Sequence, residues 1–146
     1  GDCHYEMALC DFVEKYPKQI KVNIGYDESL AHRIEASCDM FLMPSTFEPC
    51  GLNQLYSLRY GTLPIVTPVG GLVDTVIATN NEKIENGTAN GFMLENDNLV
   101  KSINYALSIY KQHKIWKQLQ LTAMRAHFTW KKVAQQYAEL YDGLIN

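Results

Sequence analysis

Apolar positions follow two rhythms along this chain. Short continuous or alternating runs at Ile20-Val22-Ile24, Met40 to Met43, Leu63 to Val66 and Phe92 to Leu94 read as strands. Between them the apolar residues recur at helical spacing. Leu9, Phe12, Val13 and Tyr16 make one stripe of a helix from Tyr5 to Tyr16, ended by Pro17, and Leu30, Ile34 and Cys38 mark a second from Ser29 to Ser37. A third helix runs from Gly51 to a stop at Gly61, and Gly70-Gly71 opens a further turn from Leu72 to Ala78. Thr79 to Gly91, rich in Asn and Gly, reads as a polar surface loop. Three helices close the chain. Their apolar positions are Leu99, Ile103, Ala106, Leu107 and Tyr110; Trp116, Leu119 and Ala123; and Trp130, Val133, Ala134, Tyr137 and Tyr141.

Strands alternating with helices predict an α/β fold, a Rossmann-like parallel sheet with helices on both faces. At 146 residues and 47% hydrophobic content, the chain is long enough for one domain, residues 1–146, with a real core. A dinucleotide-binding dehydrogenase would share this architecture, but its G-x-G-x-x-G fingerprint is absent. The chain shows no clear opening strand, so the expectation is an N-terminally truncated domain.

A formal charge of −3 gives no basic patch for nucleic acid or an anionic membrane, so neither is expected as a partner. No apolar run approaches the roughly 20 residues needed to span a bilayer, and the expected location is cytoplasmic. Cys3, Cys10, Cys38 and Cys50 form no C-x-x-C pair and have no histidine at zinc-site spacing. Reduced thiols are expected, with Cys10 and Cys38 in the core, and no metal or cofactor.

Candidate chemistry concentrates after the run Met40 to Met43, in Pro44-Ser45-Thr46-Phe47-Glu48-Pro49-Cys50-Gly51-Leu52-Asn53-Gln54-Leu55-Tyr56. A buried strand delivers this segment to the carboxyl edge of the sheet, where open α/β folds bind ligands, and the next helix points unpaired N–H groups at that edge. Glu48 can accept hydrogen bonds from sugar hydroxyls, and Gly51 lets a phosphate approach the backbone. On the residues alone, Glu48 is either a ligand-facing acid or a helix-capping carboxylate, and Gly51, Leu52 and Asn53 are either a phosphate-binding turn or an ordinary helix start. Tyr26, in a loop after the Ile20 to Ile24 run, is either packing or a stacking surface. Cys50 is a packed thiol or a sugar contact, and no neighbouring histidine would make it a nucleophile.

Phe47-Glu48-Pro49-Cys50-Gly51-Leu52-Asn53-Gln54-Leu55-Tyr56, continuing through Arg59-Tyr60-Gly61-Thr62-Leu63-Pro64-Ile65-Val66 to Gly70-Gly71-Leu72-Val73-Asp74-Thr75-Val76, closely resembles the bacterial glycogen synthase and plant starch synthase family, as does Ile24-Gly25-Tyr26-Asp27-Glu28. The likeness covers nearly the whole chain but only the C-terminal, donor-binding lobe of a two-lobed GT-B glycosyltransferase. It implies transfer of glucose from ADP-glucose to the non-reducing end of an α-1,4-glucan with retention of configuration, in the cytoplasm, or in a plastid if the source is a plant. It also implies roles. Glu48 would contact the transferred glucose as the catalytic residue, the backbone of Gly51, Leu52 and Asn53 would meet the phosphates and ribose, and the ring of Tyr26 would stack on the adenine. Ser45, Cys50 and Tyr56 complete the implied substrate-binding set, and the Gly70-Gly71 pair would back the cleft.

The chain departs from the family pattern in places. Asn53 stands for a common threonine, and Thr67-Pro68 stands where residues are often basic. The family's Lys-x-Gly-Gly-Leu loop, its acceptor groove and an Arg and Lys that grip the diphosphate have no counterpart here, so the isolated chain is expected to be inactive. Two rival readings are a non-catalytic nucleotide- or glucan-binding regulatory module and another GT-B glucosyltransferase using UDP-glucose. Tyr56, where such an enzyme would carry a second glutamate, argues against the latter.

Overall fold

The computed structural model describes residues 2–95 and 98–145. In chain order its elements are α1 (Cys3–Lys15), α2 (Glu28–Ser37), β1 (Met40–Met43), α3 (Asn53–Tyr60), β2 (Leu63–Val66), α4 (Gly71–Thr75), α5 (Asn81–Glu85), β3 (Phe92–Met93), α6 (Leu99–Tyr110), α7 (His113–Arg125) and α8 (Trp130–Ile145). They divide into two compact units, residues 1–31 and 32–146.

In the first unit, the Asp2 side chain caps α1 by accepting from His4 N–H at 2.9 Å, and Asp27 caps the start of α2 by accepting from Leu30 N–H at 2.9 Å. The expected strand at Ile20 to Ile24 is not formed. Alternation alone does not make a strand, because the backbone must also find a ladder partner, and these residues have none. The stripe expected on α1 is not buried either, since Leu9, Phe12 and Tyr16 are all exposed. All four cysteines are free and exposed, against the core placement expected of Cys10 and Cys38. Cys10 belongs to a helix with no buried residue, and Cys38 lies just past the end of α2, whose one buried residue is Glu35 rather than a member of its apolar stripe.

The second unit is built on a three-stranded parallel sheet in the order β1-β2-β3, with Met40 opposite Leu63 and Ile65 opposite Phe92. Successive strand residues point to opposite faces, so a strand covered on both sides must be apolar throughout. β2, Leu-Pro-Ile-Val, is buried along its whole length. Leu63 and Ile65 join Phe92 in the larger core with Leu58 of α3, Ala106 and Ile109 of α6, and Trp116, Leu119 and Ala123 of α7. Val66 faces the other way, packing with Leu72 and Val76 around α4. Trp116 organises the larger core, stacking on Phe92 at 6.1 Å and meeting Tyr110 edge-on at 5.0 Å.

Further expectations are corrected. Thr79 to Gly91 is not a simple surface loop: Asn80 caps α5 through Lys83 N–H at 2.8 Å, and Ala89, Asn90 and Gly91 are buried. An Asn-rich composition hid a segment whose polar groups are satisfied internally, as Asn90 accepts from Ile77 N–H at 2.7 Å and donates to the Thr75 carbonyl at 3.2 Å. α4 ends at Thr75 rather than Ala78 because Val76 is already extended. On α6 the buried face is Ser102, Ala106 and Ile109, while Leu99 and Leu107 are exposed. On α8, Trp130, Val133, Tyr137, Leu140, Tyr141 and Leu144 are exposed. Among the described residues no helix is long and apolar enough to cross a membrane.

Candidate functional site

β1 and β2 run parallel, so the segments that follow them, residues 44–52 and 67–70, leave the same edge of the sheet. Ligands of open α/β sheets bind at such a carboxyl edge. Ser45 and Glu48 are half-buried here, Phe47 and Cys50 are exposed, and Gly51 is half-buried. Leu52 is the N-cap of α3 and Asn53 its first residue, both exposed. The helix therefore begins two residues later than the sequence suggests. Gly51 lies outside it with φ +77°, a conformation that an L side chain takes only under strain.

No side chain caps α3, and its first turn carries no acidic residue. The start of an α-helix has four N–H groups without intrahelical partners and the positive end of the helix dipole. With no carboxylate or hydroxyl taking them, these groups remain free to meet an anion.

Backbone packing fixes the turn from behind. Gly71 N–H donates to the Glu48 carbonyl at 3.3 Å, and the start of α4 lies so close that a Cβ on Gly71 would meet the Cys50 carbonyl oxygen at 2.5 Å. The glycine pair expected to back a cleft thus backs the Glu48–Cys50 segment directly. From inside, the fully buried Gln54 donates to the Cys50 carbonyl at 3.0 Å and the Gly51 carbonyl at 2.9 Å. The Cys50 thiol lies 3.6 Å from the Gly51 carbonyl and is turned onto its own backbone.

Tyr56 lies one turn further along α3, its ring centroid 4.7 Å from that of His32. Tyr60 approaches the same imidazole, hydroxyl to Nδ1, at 3.3 Å, and Glu35 Oε2 lies 3.7 Å from Nδ1. Glu35 is buried and Oε2 accepts no hydrogen bond, so desolvation raises its pKa above the usual carboxylate range, opposed by the charge of His32. His32 thus packs on a candidate site residue.

The structure thus gathers Ser45, Glu48, Cys50, Gly51, Leu52, Asn53 and Tyr56 into one strand–turn–helix passage. Tyr26 belongs to the first unit, where its side chain is 92% exposed and available for stacking. Gln54 and Thr75 escaped the sequence reading. The signal for Gln54 was a polar residue at the inner-face spacing of a short helix, one turn before Leu58.

The model for the family described as glycosyl transferases group 1 matches residues 1–119. The glycogen synthase of Cellvibrio japonicus is 50% identical over all of this chain and that of Marinobacter nauticus 49% over 99% of it. The chain spans 31% and 30% of their respective lengths. Among solved structures, the catalytic domain of starch synthase IV from Arabidopsis thaliana, bound to ADP and acarbose, superposes with a TM-score of 0.78 at 32% identity over 95% of this chain and 29% of its own. Anabaena HepE in complex with UDP-glucose shares the fold, with a TM-score of 0.61 at 22% identity over 98% of this chain and 38% of its own.

Proposed function

The chain belongs to the glycosyl transferases group 1 family, and on that premise we propose that it is the donor-binding part of a glycogen or starch synthase with a GT-B fold. The reaction is transfer of glucose from ADP-glucose to the non-reducing end of an α-1,4-glucan with retention, in the cytoplasm. The observation that carries this reading is the Glu48–Gly51 turn at the carboxyl end of β1, which sets a carboxylate beside a helix start that no side chain caps. Identity of 45–50% to several bacterial glycogen synthases, and likeness to an ADP-bound starch synthase domain, support the choice of donor.

In this reading Tyr26 stacks on the adenine. The N–H groups of Gly51, Leu52 and Asn53 hold the diphosphate, with Ser45, Cys50 and Tyr56 lining the donor site. During transfer the bond from the sugar C1 to the phosphate oxygen breaks and a bond from C1 to the acceptor hydroxyl oxygen forms on the same face. The acceptor proton passes to the departing phosphate oxygen, and ADP leaves. The glucose carries positive charge midway, and Glu48 orients it and offsets that charge, while the amide groups and helix dipole stabilise the negative leaving group.

The test is a chimera in which this chain replaces the matching segment of the Cellvibrio japonicus glycogen synthase. Transfer of labelled glucose from ADP-glucose to glycogen is expected. A chimera that folds and transfers only from UDP-glucose, or not at all, overturns the reading.

A further inference from the structure

Gln54 is a fully buried polar side chain on a helix that otherwise buries Ser57 and Leu58. Burying a carboxamide is unfavourable unless its donors and acceptor find partners. Its nitrogen has three acceptors in reach: the Cys50 carbonyl at 3.0 Å, the Gly51 carbonyl at 2.9 Å and Thr75 Oγ1 at 3.3 Å. Thr75 gives its own proton to the Gly71 carbonyl at 2.7 Å and so accepts from Gln54. The flipped amide would set an oxygen against two carbonyls, so the network fixes the orientation. Oε1 is left buried with no partner.

Two successive carbonyls held from inside dictate where the next two amides point. Every peptide bond among the described residues is trans, so each carbonyl and the N–H that follows it point in opposite directions. With the Cys50 and Gly51 carbonyls turned inward onto Gln54, the Gly51 and Leu52 N–H groups face the other way. Gly51 is left-handed at φ +77° and Leu52 right-handed at φ −112°, ψ −32°. That alternation gathers consecutive N–H groups into an anion-binding concavity. Among the described residues neither N–H has a hydrogen-bond partner.

We propose that Gln54 is a positioning residue for the donor's diphosphate. It holds the Cys50–Gly51 and Gly51–Leu52 peptides so that their amide hydrogens face phosphate oxygens, and Thr75, itself tied to Gly71, sets the carboxamide. The proposal rests on the donor-site reading above and adds a residue to it. It also explains why position 51 is glycine beyond its φ: a Cβ there would lie 2.3 Å from Gln54 Oε1.

The test is amide NMR of this chain titrated with ADP, inorganic pyrophosphate and adenosine. In the parent, ADP and pyrophosphate are expected to shift the Gly51 and Leu52 resonances while adenosine leaves them in place. Gln54→Met keeps length and burial but removes both donors. Its apparent Kd for pyrophosphate should rise at least about tenfold, with the resonances of Leu58, Phe92 and Trp116 unmoved. If that variant gives no folded spectrum, Thr75→Val is titrated instead, with a rise of about threefold expected. Parental pyrophosphate affinity in the folded variant overturns the proposal while leaving the donor site standing, and so does a loss accompanied by shifts throughout the core. Silence of the parent's Gly51 and Leu52 amides toward both phosphates removes the donor site itself, and Gln54's role with it.

Discussion

A Cβ on Gly70 would lie 1.8 Å from the carbonyl oxygen of Glu48. Gly70 also sits at φ +47°, ψ −137°, a region that side-chain-bearing residues avoid. The start of α4 and the candidate catalytic turn are thus packed backbone against backbone, and the position of Glu48 depends on a residue 22 positions further along the chain. Gly70→Ala is expected to lower stability by about 2–3 kcal/mol or more in urea unfolding. Gly143→Ala, on α8 with nothing near its added Cβ, should change it by less than about 1 kcal/mol. A Gly70→Ala variant as stable as the parent would mean that the turn is not held from behind.

Asn90 joins the end of α4 to β3 from within, taking the Ile77 N–H and giving to the Thr75 carbonyl. Asn90→Leu removes both bonds and strands two buried backbone groups, for an expected loss of about 2–3 kcal/mol. The unfolding midpoint checks this, and an unchanged midpoint would show that the two backbone groups find other partners.

Glu35 makes stability depend on pH in a defined direction. Its folded pKa is raised above the ordinary carboxylate value of 4.5, chiefly by burial. The fold therefore favours the protonated form: its contribution is fully present below pH 4.5 and is lost as pH rises through the raised pKa. Glu35→Gln, neutral at every pH, should be more stable than the parent at pH 7 and should converge with it toward pH 4. Thermal unfolding across that range decides it. A parent more stable than the variant at pH 7 would show that His32 outweighs the desolvation.

Parts of this architecture stand in the sequence because one force dominates them. Leu63 to Val66 is an apolar run closed by turn residues and buried throughout, which is what a strand covered on both faces must be. Met40 to Met43 forms the strand its apolar run predicts but not the expected burial, because it is the outer strand of the described sheet and Leu42 stays exposed. Gly61 ends α3 in the left-handed conformation that glycine favours. Trp116, Leu119 and Ala123 keep helical spacing and are buried as read. The turn was legible as a candidate site because a carboxylate, two prolines and a glycine between an apolar strand and a helix have few other uses. Ile20 to Ile24 misled because alternation over five residues does not supply a partner strand. On α6 Ala106 is buried as read, but Ser102 and Ile109 face the core where Leu99 and Leu107 were expected to. Gln54 was missed for a different reason. Its spacing before Leu58 marks an inward position, but its role depends on two carbonyls that the left-handed Gly51 turn presents, and composition and periodicity do not encode those.

The most direct measurement is kcat for glucosyl transfer from ADP-glucose to glycogen, comparing Glu48→Ala with its parent in the Cellvibrio japonicus chimera. On the proposed reading Glu48 meets the sugar as it becomes cationic, while the diphosphate is held by the amides of residues 51–53. Turnover is therefore expected to fall on the order of 10²–10³-fold, by analogy with deletion of one group that stabilises transition-state charge, with KM for ADP-glucose moving less than about threefold. Glu48→Gln, which keeps shape and loses charge, should fall with it. Near-parental turnover in both variants would contradict the account and leave Glu48 a carboxylate at a helix start.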